Sequence, residues 1–275
     1  MIPDYLTAIM NISYILFTMF REPTYNPEKR NPLKREHLKE GIMPIMACVG
    51  TPSQFRDESG TEKTIASNYF EKKNGTQNVN YYGDPDDLEI KGFKNNGKET
   101  YVISTVDSED KFSRNFRDCT GILVAGQDKK TGENISFLTH QDPEEFFHKK
   151  DKECFLRDLR ERLAELKDRS ADGTVDAVIV GGNWFQNGED TGDFDISPKT
   201  YQKGYKYSID YLEKEVEAAF GFEPTILTGP KRSGGEDDVY YDNKNRRLYI
   251  MRPEVGNGST ESFVPSDIRE QEKKW

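Results

Sequence analysis

The order of apolar segments predicts an α/β fold, a layered α/β sandwich in which a mixed β-sheet is packed by two amphipathic helices. Three observations carry this. Two long segments place apolar residues at helical spacing. Short β-branched and aromatic runs lie before, between and after them. Gly, Asp and Asn clusters separate the runs where the chain must turn.

The elements follow in order. Glu99 to Val106 (ETYVISTV) reads as a strand. Gly121 to Gly126 (GILVAG) is a second, and Asn134 to His140 (NISFLTH) is its return partner. The turn Gln-Asp-Lys-Lys-Thr-Gly joins them and offers Gly132 for a positive φ. A helix from about Lys150 to Lys167 has Phe155, Leu156, Leu159, Leu163 and Leu166 on one stripe. Asp176 to Val180 (DAVIV) is a continuous apolar strand of the kind buried on both faces, ending in Gly181-Gly182. A polar loop spans Gln186 to Lys199. The second helix runs from about Tyr201 to Phe220, with Tyr205, Ile209, Leu212, Val216 and Ala219 on one face and Gly221 as its stop. Pro224 to Thr228 is a further strand. Val239 to Tyr241 and Arg247 to Ile250 close the domain as a hairpin.

This places an α/β domain over residues 99–253. Residues 254–275 form a polar tail, expected to be flexible. Residues 1–98 hold an apolar segment, a basic Pro-rich linker, a short apolar run at 41–49 and a polar irregular stretch with little core. The segment Tyr5 to Phe20 is short of the ~20 apolar residues a membrane span needs. It reads as a helix packed on the core or on a partner. The alternative is an interfacial anchor helped by the basic stretch Lys29 to Lys39, although the segment has little polar face. The net charge of −10 disfavours nucleic acid and anionic membranes as general partners. Three cysteines without C-x-x-C spacing make neither a disulfide framework nor a zinc site, which fits a reducing, cytoplasmic compartment.

Cys119 is the candidate nucleophile. It stands at a loop-to-strand junction, in Phe-Arg-Asp-Cys-Thr-Gly, where a thiol has both access and charged neighbours. His140 is the candidate base, because the hairpin brings the start of its first strand and the end of its second to one end of the sheet. The alternative for Cys119 is a small buried hydrophobe. Cys48 and Cys154 read as core residues, and His37 and His148 as surface residues. Gly181-Gly182 lacks the surrounding pattern of a phosphate loop, and no ligand spacing suggests a metal.

The stretch from Ser113 to Arg252 resembles the CheD family, the chemoreceptor glutamine deamidases of bacterial chemotaxis. The resemblance rests on motifs that occur in the same order. Cys119-Thr-Gly-Ile-Leu-Val leads to Phe-Leu-Thr-His140 and then Pro143. Val178-Ile-Val-Gly-Gly-Asn-Trp-Phe185 follows the first helix, and Val239-Tyr-Tyr-Asp opens the closing hairpin. The resemblance implies that Cys119 is the nucleophile, that His140 is its base, and that Ser113, where the family has threonine, supports the histidine. This chain departs from the family at Arg117 and Asp118, where small residues are usual, and in the longer loop after Gln186. Toxin deamidases of bacteria share the Cys–His arrangement.

The implied activity is hydrolysis of a protein glutamine side chain to glutamate through a thioester, with no metal or organic cofactor. The implied partner is a protein with an exposed glutamine, a chemoreceptor or another. Two readings compete. One keeps the fold and loses the chemistry, leaving a protein-binding module. The other keeps the dyad for a protease, transglutaminase or acyl transferase.

Overall fold

The computed structural model describes residues 43–50, 73–80, 91–95, 98–116, 119–142, 149–182, 198–227 and 236–251. The chain segment 5–20, the tail 254–275, His37, His148 and the greater part of the 186–199 loop lie outside them. The described strands are β1 (Met46–Gly50), β2 (Thr76–Asn78), β3 (Lys91–Asn95), β4 (Lys98–Ile103), β5 (Asp110–Phe116), β6 (Thr120–Gln127), β7 (Asn134–Gln141), β8 (Asp176–Gly181), β9 (Thr225–Ile226), β10 (Asp237–Asp242) and β11 (Arg247–Met251). The described helices are α1 (Lys149–Arg169) and α2 (Pro198–Phe220). No helix among the described residues is long and apolar enough to cross a membrane.

The fold is α/β, with two sheets where the sequence suggested one. A six-stranded sheet has the order β3-β4-β7-β6-β8-β9, and a five-stranded sheet the order β1-β11-β10-β5-β2. Both are mixed, since β8–β9, β1–β11 and β2–β5 are parallel and the other pairs antiparallel. The helices cover one face of the six-stranded sheet and the five-stranded sheet packs on the other. Strands β6, β7 and β8 are therefore buried on both faces, which is why DAVIV and GILVAG read as continuous apolar runs.

The helix stripes behave as their spacing predicts. Phe155, Leu156, Leu159, Leu163 and Leu166 of α1 are buried, as are Tyr205, Ile209, Leu212 and Val216 of α2. Ala219, on the last turn of that stripe, is only partly buried. The Tyr101 hydroxyl donates to Asp158 Oδ2 at 2.8 Å and ties β4 to α1. The expected hairpin forms as β6–β7, its turn held by Asp128 Oδ1, which accepts from the Lys130 and Thr131 amides.

Two differences from the sequence reading matter. Residues before Glu99 contribute three strands to these sheets, so the ordered fold begins well ahead of the expected boundary. Strand β1 is anchored at its start, where the Ile45 amide donates to Asp176 Oδ2 at 2.8 Å and Arg246 Nη2 donates to the Met43 and Thr174 carbonyls at 2.7 and 3.0 Å. Strand β5 (DKFSRNF) was not foreseen. Its charged composition hides it, because Lys111 is fully buried and pairs with Asp107.

Candidate active site

Ser113 lies in the middle of β5, His140 near the end of β7, and Cys119 immediately before β6. The register of β6 and β7 pairs Thr120 with Gln141 and Leu123 with Leu138. Continued through the interval between these pairs, it sets Gly121 opposite His140, with Cys119 two residues before Gly121. Cys119 is half-buried and not in a disulfide. His140 is the one histidine among the described residues and is only 1% exposed.

Ser113 reaches the same point from the other sheet. Its Oγ lies 2.9 Å from His140 Nδ1, and its hydroxyl donates to the carbonyl of Val79. A serine has one proton to give. With that proton on the Val79 carbonyl, Oγ must accept from His140, and Nδ1 must carry the hydrogen. The lone pair is then on Nε2. Burial pushes the imidazole from 6.5 down to about 3, so the ring is neutral at physiological pH.

A β-bulge supplies a second contact with the ring. Val239 pairs with Ser113, while Asp237 pairs with Phe116, so β5 spends one residue more than β10 over this interval. Asn115 takes the left-handed φ of 63° that absorbs it, and its amide donates to Asp238 Oδ1 at 3.0 Å. The extra residue puts Ser113 and Phe116 on the same face, against the strict alternation of a strand. Phe116 stacks on His140 with centroids 4.0 Å apart and planes 15° from parallel.

Two glycines make room for that ring. A Cβ on Gly121 would stand 2.8 Å from Phe116 Cε1, and one on Gly181 would stand 2.7 Å from Phe116 Cδ1 and 2.5 Å from the Cys119 carbonyl oxygen. Gly181 and Gly182 both have positive φ, which folds the end of β8 inward so that the Gly182 amide donates to the Cys119 carbonyl at 2.7 Å. Gly181-Gly182 thus packs against the backbone of Cys119.

On the opposite face of the same strands, a buried polar chain holds the register. Thr139 Oγ1 accepts from the Ile122 amide at 2.9 Å and donates to Gln141 Oε1 at 2.8 Å. Gln141 Nε2 donates to Thr120 Oγ1 at 3.1 Å, and the Thr120 and Ser208 hydroxyls share a hydrogen bond that reaches α2. Thr120 follows Cys119 and Gln141 follows His140, so this chain fixes the backbone that carries both.

The sequence reading named Ser113, Cys119 and His140. The structure joins Ser113 to His140 and sets Cys119 immediately before the neighbouring strand β6. Phe116, Gly121, Thr139 and Gln141 were not singled out. The Gly181-Gly182 pair was the visible signal: it lacks the pattern of a phosphate loop and is one of the motifs of the resemblance. Cys154 is half-buried on α1, and Cys48 lies in β1 opposite Tyr249. Arg117 and Asp118 lie outside the described residues. Among the described residues, no three His, Cys, Asp or Glu side chains gather as metal ligands. No family model matches this chain, and no curated protein matches it.

Proposed function

We propose that the protein is a cysteine-dependent amidohydrolase acting on glutamine side chains of another protein, as its resemblance to the CheD deamidases implies. The observation that carries the reading is the Ser113–His140 hydrogen bond, because it selects the tautomer with a bare Nε2. A base needs that lone pair to take a proton from a neighbouring thiol.

In this mechanism Nε2 of His140 removes the Cys119 proton as sulfur attacks the carboxamide carbon. Backbone N–H groups near Cys119 stabilise the oxyanion. The C–N bond then breaks, the imidazolium gives its proton to the departing ammonia, and a thioester remains. The same imidazole activates water to release glutamate and the free thiol. Ser113 orients the ring and, by accepting from Nδ1–H, favours the transient imidazolium. The depth of His140 disfavours a standing imidazolium, so the resting imidazole is neutral. The proton moves only as charge develops on the substrate.

One observation favours a second reading. A histidine this buried is a weak base on its own. A protein-binding module that retains the fold without the chemistry accounts for it. Incubation with chemoreceptor cytoplasmic domains and with a broad set of other proteins, read by ammonia release and by peptide mass spectrometry for glutamine-to-glutamate conversion, separates the two. Conversion by the wild type and none by Cys119→Ala supports the deamidase. Partner binding that survives Cys119→Ala, with no conversion, supports the binding module.

A further inference from the structure

We propose that Phe116 is a positioning residue for this site: its ring, aimed by the β-bulge in β5, holds the imidazole of His140 in the plane from which Nε2 addresses Cys119. The proposal rests on the reading of Cys119 and His140 as a dyad.

The Ser113 hydrogen bond fixes the direction of one nitrogen. That hydrogen bond constrains the ring at one atom, within the tolerance of hydrogen-bond geometry. A second constraint on the plane of the ring is needed to fix where Nε2 points. The stacked face of Phe116, nearly parallel and 4.0 Å away, is that constraint. It also helps to keep the ring out of water, since Phe116 is itself fully buried.

Three features of the backbone serve this one ring. The extra residue of β5, with Asn115 at a φ of 63°, turns Phe116 to the side of Ser113. Gly121, the residue opposite His140, admits both the Thr139 carbonyl oxygen, 2.2 Å from where its Cβ would stand, and the edge of the ring, at 2.8 Å. Gly181 leaves the volume on its other edge, beside the Cys119 carbonyl. A phenylalanine that served only to fill the core needs neither a bulge to aim it nor glycines on two neighbouring strands. Bulges recur beside active sites, where they redirect a side chain.

Two variants test the proposal on the whole chain. Phe116→Leu keeps an apolar group and removes the flat face. Asn115→Val keeps the ring and disfavours the left-handed residue that aims it. The readout is the rate of Cys119 alkylation by iodoacetamide, near neutral pH and again above the ordinary thiol pKa of about 8.5, in proteins whose circular dichroism shows them folded. A positioning role predicts a loss of about tenfold near neutral pH in the variants, a part of what a well-placed base contributes. It predicts that the rates converge with the wild type at high pH, where no base is needed. In the wild type, ring-current shifts of the His140 protons in the NMR spectrum report the stack, and Phe116→Leu removes them. Should Phe116→Leu be folded and react as fast as the wild type near neutral pH while His140→Ala is slow, the proposal is overturned and the dyad stands. Equal rates in the wild type and His140→Ala overturn the dyad and the proposal with it. Where Phe116→Leu does not fold, a folded Asn115→Val with an unchanged neutral rate overturns the proposal.

Discussion

Ser113 and His140 share a hydrogen bond of 2.9 Å whose direction is set by a third group, the Val79 carbonyl, which takes the serine's only proton. The imidazole must therefore donate from Nδ1. This relation joins the two sheets, since Ser113 is on β5 and His140 on β7, and it decides the tautomer of the candidate base. Replacing Ser113 by alanine leaves a buried N–H without its acceptor, at a cost of about 1–3 kcal/mol. The expected outcome is a lower unfolding midpoint in urea, together with slower Cys119 alkylation at neutral pH, because the Nε2–H tautomer becomes populated. An alkylation rate equal to the wild type in a folded Ser113→Ala protein removes Ser113 from the site.

The buried His140 makes stability depend on acid. In the unfolded chain the ring binds a proton below about 6.5, and in the fold only near 3. Between those values the unfolded state binds more protons, so stability falls as pH drops through this window and is unaffected by His140 above it. Urea midpoints between pH 7 and pH 4 should decline more steeply for the wild type than for His140→Gln. The difference amounts to no more than a few kcal/mol. Parallel declines would show that His140 protonates in the folded state without penalty.

The polar chain behind the site predicts a coupled loss. Gln141→Leu removes the partner of both Thr139 and Thr120, two hydroxyls buried between the sheet and α2. The expected destabilisation is about 2–4 kcal/mol, from two interrupted hydrogen bonds in a dry interface. Because Thr120 and Gln141 adjoin Cys119 and His140, alkylation of Cys119 should also slow. Urea unfolding and alkylation rates measured on one preparation check both. Loss of stability with an unchanged rate would confine the chain to a structural role.

Leu159→Ala is the complementary case. Leu159 is fully buried on α1, within the helix layer rather than the site. It should cost about 2–5 kcal/mol, as large-to-small changes in cores do, and leave Cys119 alkylation in the folded protein unaltered. A slower alkylation would mean that the site answers to global stability and not to local geometry.

The helices and the central strands were legible because burial leaves a period in the sequence. The α1 and α2 stripes and the run DAVIV each follow the pattern that their packing demands. The second sheet was not legible, because β5 carries Lys111, Arg114 and Asn115 in seven residues and reads as a polar stretch. Its burial is made possible by the Lys111–Asp107 pair and by a bulge, and neither leaves a periodic trace. The same bulge explains why Phe116 escaped notice. By simple alternation it faces away from Ser113, and only the left-handed Asn115 turns it back. Strands β2 and β3 are short and lie among polar residues, and β1 falls in the apolar run at 41–49, which shows burial but not the distant strand it pairs with. The hairpin brings Cys119 and His140 to one end of the sheet, since the chain between them is two strands and a turn; any hairpin has two ends, and the roles proposed for them rest on thiol and imidazole chemistry and on the family resemblance.

The most direct test of the account is the pH dependence of Cys119 alkylation in the wild type and in His140→Ala, followed by peptide mass spectrometry. If His140 is the base for Cys119, the wild-type thiol reacts at a pH well below the ordinary value of about 8.5, and His140→Ala shifts the profile up to that value. Superimposable profiles in the two proteins would contradict the dyad and leave the chain as a binding module.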